Sequence, residues 1–309
     1  MDSSWLLLLL GDSALPTGGF VASSGLEAFT SAFGFSQSEM PKVHVFMRSN
    51  MSAFAYAALP FVTQTFLAVS NGGMRAPAAD PAINHDSSTT HMHQNATDDS
   101  VDIVAQLDSS FDAMVASNQI AARASRAQGA AFVALLDRAF LGVPMGSLDD
   151  RKLRLAKDMR KRVRGGKSPG HLPICFALLC ACLGVSLSDT QSLFLFHHTR
   201  SLVSAAVRLN IYGPYEGQRQ MLLLGAHASH VLKQVRDRMD AIEMSMVQEP
   251  SQEQSCVNEE DEYDRMMRVF KGPLYREVEL AKRQSVQTGV MVELVQGLHD
   301  RLYSRLFNS

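Results

Sequence analysis

Long apolar runs are missing from this sequence, and with them the features that mark a secreted or membrane-anchored chain. No uninterrupted apolar stretch approaches the roughly 20 residues needed to cross a bilayer. The greasy segment Trp5–Leu10 is only six residues long and is preceded by Asp2 in place of a positive charge, so a signal peptide is not expected. Cysteine is scarce: of four, Cys175, Cys180 and Cys182 crowd one apolar segment and Cys256 stands apart. Neighbours on one helix make awkward disulfide partners, so a reducing, cytoplasmic location is expected. An excess of one charge is also lacking, with 29 basic against 31 acidic side chains. Any electrostatic partner must therefore be recognised by a local patch, and neither a membrane nor a nucleic acid is expected as a partner.

What is present is helical periodicity along nearly the whole chain. At 309 residues and 46% hydrophobic the protein can bury a sizeable core. Leu26, Phe29 and Phe33 form one stripe, Val43, Met47, Met51, Phe54 and Ala58 a second that Pro60 interrupts, and Val104, Leu107, Phe111 and Met114 a third. Alanine-rich Ile120–Leu136 has good helix propensity. The segment from His171 to Leu183 has Pro173 in its first turn and Gly184 just past its end, which predicts a helix with defined boundaries. Ser188 and Gln191 predict a capping box for the next helix, whose apolar positions are Leu195, Thr199, Leu202, Ala206 and Leu209. Gly213, Pro214 and Gly217 are expected to break that helix before another resumes over Met221–Val235. Residues 71–100 and 247–264 are rich in polar or acidic residues and read as disordered insertions. The expectation is an all-α, helical-bundle-like fold, with 1–309 as one domain.

Several short motifs invite a catalytic or ligand-binding reading. Gly11–Ser13 has the Gly-Asp-Ser order of a hydrolase nucleophile block, but no aspartate is followed three positions later by histidine to complete its triad, so Ser13 reads as a turn residue. Arg164–Ser168 ends like a phosphate loop, yet Lys161 stands where the first glycine is required and no strand precedes it. Arg151–Lys167 holds nine basic residues against one acid, Asp158, with no aromatic side chain to stack on a base. It reads as a solvated helix face. His85, His91 and His93 are weak candidate metal ligands in a polar loop, and Cys175 and Cys182, seven residues apart, share a helical face. His197 and His198 suggest only packing and solvent contact. In the opening stretch Pro16, Gly18, Gly19 and Gly25 fix one backbone angle and free three, a way to present Phe20 in a set geometry. Glu27 follows near a helix start, where free amides favour a carboxylate.

Five blocks in order together resemble the urease accessory protein F family. They are Leu15–Ala28 (LPTGGFVASSGLEA), Ala122–Gly129 (ARASRAQG), Gly170–Leu179 (GHLPICFALL), Leu202–Gln218 (LVSAAVRLNIYGPYEGQ) and His299–Ser309 (HDRLYSRLFNS). Ala22 stands where that family often has histidine or another larger residue. The resemblance implies an all-α, non-enzymatic homodimer without a cofactor. It would bind urease accessory protein D (also called H), the GTPase accessory protein G and apo-urease during nickel delivery. On that basis Pro16, Gly19, Phe20, Ser24, Gly25 and Glu27 are expected to form a docking surface, with Phe20 as apolar anchor and Glu27 as charged rim or helix-start group. Arg208, Gly213, Pro214 and Gln218 are carried over as partner or subunit contacts. His299, Tyr303, Arg305, Leu306 and Phe307 are expected to form an apolar docking tail covering one side of a helix. The alternative is a nickel metallochaperone using His85, His91 and His93 or Cys175 and Cys182.

Overall fold

The computed structural model describes residues 3–33, 40–71, 92–140, 149–248, 276–302 and 304–307, with side chains from residue 100 onward in the third of these segments and up to residue 246 in the fourth. Among the described residues there are helices and turns and no strand. The helices are α1 (Ser3–Leu10), α2 (Leu26–Phe33), α3 (Met40–Asn71), α4 (Met92–Val115), α5 (Gln119–Leu135) and α6 (Asp150–Arg164). They continue with α7 (Leu172–Cys182), α8 (Leu187–Arg208), α9 (Pro214–Gln248), α10 (Arg276–Gln284) and α11 (Val290–Gly297).

Helix α7 is the axis of the main core. Its residues from Pro173 to Cys182 are all buried, as expected of a helix that is apolar all round, and α3, α5, α6 and α8 pack around it. A smaller core of Leu26, Met47, Leu202, Ala206, Val295 and Phe307 joins the beginning and end of the chain. Helix α3 is long and apolar enough to cross a membrane by length and composition, but 67% of its most apolar window is buried inside the fold, so here it serves as a core helix.

Where the structure departs from the sequence-based expectations, a tertiary partner explains most of the differences. Helix α3 runs through Pro60 without a break. Proline has no amide to give to the carbonyl of Tyr56 four residues earlier, and the Val286 amide donates to that carbonyl at 3.2 Å. The α10–α11 connection therefore docks on the gap that Pro60 leaves. The cap of α8 is Ser186, whose Oγ accepts from the Asp189 amide at 3.0 Å. Gln191 is instead buried, donating to Thr63 Oγ1 and accepting from Arg236. Helix α9 already begins at Pro214 and contains Gly217, where a Cβ would lie 2.7 Å from Val207 Cγ2. That glycine is a close-packing site between α8 and α9. Residues 92–100 and 247–248, expected in insertions, are helical backbone of α4 and α9; residues 72–91 and 249–264 lie outside the described residues.

Helix α5 approaches the turn before α7 closely at Gly129. A Cβ on Gly129 would lie 2.1 Å from the Gly170 carbonyl oxygen and 2.9 Å from that of His171. Gly129→Ala is therefore expected to push α5 off this backbone and to destabilise the protein by about 1–3 kcal/mol, the usual range for overpacking. Urea unfolding followed by circular dichroism reads the loss; a midpoint equal to that of the parent protein would show that the turn can shift freely.

Candidate partner-binding surface

The opening turn is built on three left-handed residues, Gly18 (φ 68), Ser24 (φ 51) and Gly25 (φ 86). Only glycine reaches such angles without steric cost, and at Gly25 there is no room either, since a Cβ would stand 2.7 Å from Gln296 Cγ. The strained Ser24 is held from behind by its carbonyl, which accepts from Asn50 Nδ2 (2.7 Å) and Gln296 Nε2 (3.1 Å). Asn50 Oδ1 in turn meets His198 Nε2 at 2.8 Å, and Gln296 Oε1 accepts from Asn118 Nδ2 at 2.7 Å. Ser201 Oγ is shared between the carbonyls of Gly19 and Ala22. The outcome is a turn pinned by α3, α5, α8 and α11 that leaves Phe20 63% exposed and Pro16 on the surface.

Arg208, at the end of α8, ties this turn to the C-terminal tail. Its Nη1 donates to the Phe20 carbonyl. The guanidinium lies 4.7 Å from the Phe20 ring centroid and 4.3 Å from that of Phe307, so one cation bridges two aromatic faces. Leu306, 52% exposed, continues the apolar surface.

Two expectations about this region are corrected. Glu27 lies in the first turn of α2 as expected, but it is 5% exposed and forms no rim. Its Oε1 accepts from the Leu306 amide (2.5 Å), and its Oε2 accepts from the Phe307 amide (3.2 Å) and faces His299 Nε2 at 3.1 Å. The tail supplies backbone donors that a carboxylate can hold in charge-assisted bonds, which buries the glutamate. The second correction is to the tail, which does not continue a helix. A 3-10 turn at His299–Arg301 leads into extended Leu302; His299 is buried and Phe307, 3% exposed, packs on its own chain. Arg305 pairs with Asp300 at 3.0 Å, which Arg123 also holds. Tyr303 lies outside the described residues. Gly213, Pro214 and Gln218 are exposed at the start of α9, and Gln218 lines a groove between α8 and α9 with Phe196 and Leu222.

Behind the opening turn is a cavity of about 320 Å³ lined by Phe54, Gln128, His197, His198, Ser204 and Gln296 among others. Burial lowers the pKa of His197 to about 4, with the Arg200 charge adding to it, and burial alone lowers that of His198 to about 3. Both are neutral near pH 7. The native state then binds fewer protons than the unfolded chain below the ordinary histidine value of 6.5. Stability is thus fully present above about 6.5 and lost as pH falls toward 4 and below. His171 is displaced in the same direction by burial. Urea midpoints measured across this range are expected to fall with pH in the parent protein and to fall less in His198→Gln; parallel curves would show that His198 contributes nothing.

The second and third sequence blocks meet at a polar knot that sequence reasoning did not find. Asp108 of α4, fully buried, accepts from Ser168 Oγ (2.5 Å), the Gly170 amide (2.6 Å) and the His171 amide (2.8 Å). One turn on, Asp112 takes His171 Nε2 at 2.8 Å and Arg126 at 3.0 Å. His171 Nδ1 meets Ser125 Oγ at 3.1 Å, and that same hydroxyl oxygen accepts from the Leu172 amide. Despite the serine–histidine–aspartate order, what this knot satisfies are the amides of the turn entering α7, those of Gly170, His171 and Leu172. The available signal was two aspartates four residues apart beside an apolar stripe, but nothing local reveals their partners.

The other motifs resolve simply. Ser13 is an exposed turn residue beside Asp12, whose carboxylate accepts from the Ala14 amide at 2.9 Å. The amides of Gly165, Gly166 and Lys167 are taken by carbonyls of α6 and have none to spare for a phosphate. Cys175 and Cys182 are buried free thiols, Cys182 pushed up to about 12 and Cys175 well above its ordinary value by desolvation, which opposes the thiolate that a metal requires. Among the described residues no group of three histidine, cysteine or carboxylate side chains is placed to hold a metal. His85, His91 and the side chain of His93 lie outside the described residues.

Fold and surface together define an all-α protein whose opening turn and closing tail are latched into one partly apolar patch around Arg208. The family model described as UreF matches residues 50–225, over half of the 309 residues. The chain belongs to the UreF family. Among curated relatives, it is 30% identical to urease accessory protein 6 of Cryptococcus neoformans var. grubii, covering 98% of this chain and 96% of that protein. It is 28% identical to urease accessory protein F of Arabidopsis thaliana over 99% and 92% of the two chains.

Proposed function

We propose that this chain is a urease maturation factor that catalyses no reaction itself. In this reading it is a cytoplasmic, homodimeric helical scaffold that links accessory protein D/H to the GTPase accessory protein G and helps deliver nickel to apo-urease. Family membership supports the maturation role. The observation that carries the docking reading is the patch itself: an exposed Phe20 held on a turn, with Arg208 between its ring and that of Phe307, next to which in the chain Leu306 is exposed. Rigid aromatic and arginine side chains are the common anchors of protein interfaces. Exposed Trp5, Leu8, Phe196 and Leu222 add apolar surface of the kind that subunit contacts cover.

Co-expression with accessory proteins D/H and G, followed by size-exclusion chromatography with light scattering, tests this reading. The expected result is a complex containing all three chains, with two copies of this one. Elution of this chain alone as a monomer would refute it. Nickel titration of the isolated chain is expected to show no tight stoichiometric site, whereas a metallochaperone would show one.

A further inference from the structure

Helix α6 concentrates positive charge in a chain whose net charge is −2. Its inner side is apolar, with Leu155, Ala156 and Met159 in the core. Its flanks are spent on neighbouring carboxylates: Arg160 pairs with Asp137 after α5, and Arg162 with Asp102 of α4 at 2.7 Å. What remains is a row of exposed cations, Arg154, Lys157, Lys161 and Arg164, continued by Lys167 beyond the helix end. The steps of three, four and three place the first four on one side of the helix, over about 15 Å. Arg154, Lys157 and Arg164 make no ion pair with any described residue, and Lys161 meets only Asp158 on its own helix at 3.2 Å. Like charges at these spacings weaken a helix, so the row does not serve to hold α6 together.

We propose that the outer row of α6 is a docking strip for an acidic polypeptide, a helix presenting carboxylates at the same three- and four-residue steps. The two flanks of α6 already recognise carboxylates from adjacent helices, so the chemistry of the outer row repeats what the fold uses internally. Nucleic acid is the less suited ligand: the row is a single line along one helix, and Arg151–Lys167 holds no aromatic side chain to stack on a base. The strip is also apart from the patch around Arg208. Helix α6 supplies none of the side chains that hold the opening turn, which are Asn50, Ser201, Arg208 and Gln296. An acidic partner would therefore be held without competing for that patch, and the inference does not rest on the function proposed above.

The test uses the full chain and fluorescence anisotropy with a labelled alanine-based helical peptide bearing glutamates at steps of three, four and three. The strip variant is R154E/K157E/K161E/R164E. A control variant, R48E/K233E/R238E/K282E, reverses four exposed cations elsewhere and changes net charge equally. The peptide is expected to bind the parent chain and to bind the strip variant about tenfold more weakly or worse, with the control much less affected. Should the strip variant not fold, K157A/R164A is expected to weaken binding in the same direction. Equal loss in the strip and control variants, no binding to the parent chain, or tighter strip-dependent binding of oligouridylate or phosphatidylserine vesicles than of the peptide would each overturn the proposal.

Discussion

Asp108→Ala is expected to cost about 3 kcal/mol or more of stability, because three buried donors, Ser168 Oγ and the Gly170 and His171 amides, lose their acceptor at once. The damage extends beyond the cavity left by a carboxylate. Gly129 lies against the Gly170 carbonyl, so freeing this turn also loosens the α5–α7 contact at the centre of the core. Asp108→Asn keeps one carbonyl oxygen for the backbone amides and is expected to lose less. Urea denaturation monitored by circular dichroism gives both values, and an alanine variant within about 0.5 kcal/mol of the parent protein, the usual range of surface substitutions, would show that the knot carries no stability.

Glu27→Ala is expected to release the tail. The Leu306 and Phe307 amides both end on this carboxylate, which also faces the buried His299 ring, while Phe307 fills the smaller core and stacks on Arg208. Losing two charge-assisted bonds worth about 1.5–3 kcal/mol each leaves a short segment with one apolar anchor. Hydrogen exchange at Leu306 and Phe307 is expected to accelerate by at least about tenfold, given that each 1.4 kcal/mol of lost opening free energy is a factor of ten, with α7 unchanged. Unaltered protection at these two amides would mean that Phe307 holds the tail without help.

How much could be read beforehand followed from the range of each interaction. Helix α7 was legible to within a residue, because its signals are local: Pro173 in the first turn and Gly184 in the left-handed region just beyond. The stripes of α3, α4 and α8 were legible for the same reason, as repetition along one face. Continuity through Pro60 was not, because the compensating donor, Val286, is more than two hundred residues away in sequence. The capping box expected of Ser188 and Gln191 does not form: Gln191 is buried against Thr63 and Arg236, and Ser186 caps the helix. Glu27 shows the limit most clearly. A carboxylate at a helix start belongs in water by every local rule, and only the returning tail, which brings two free amides, makes its burial favourable. Asp108 likewise had no identifiable partner until the chain folded back.

In the proposed function the patch around Arg208 receives a protein partner through Phe20. The most direct measurement is the affinity of purified Phe20→Ala for accessory protein D/H and for accessory protein G, beside the parent chain and after circular dichroism has shown an unchanged fold. At least one affinity is expected to weaken by about tenfold or more, corresponding to about 1.4 kcal/mol lost with an exposed aromatic anchor. Both affinities unchanged from those of the parent chain would contradict the proposed docking.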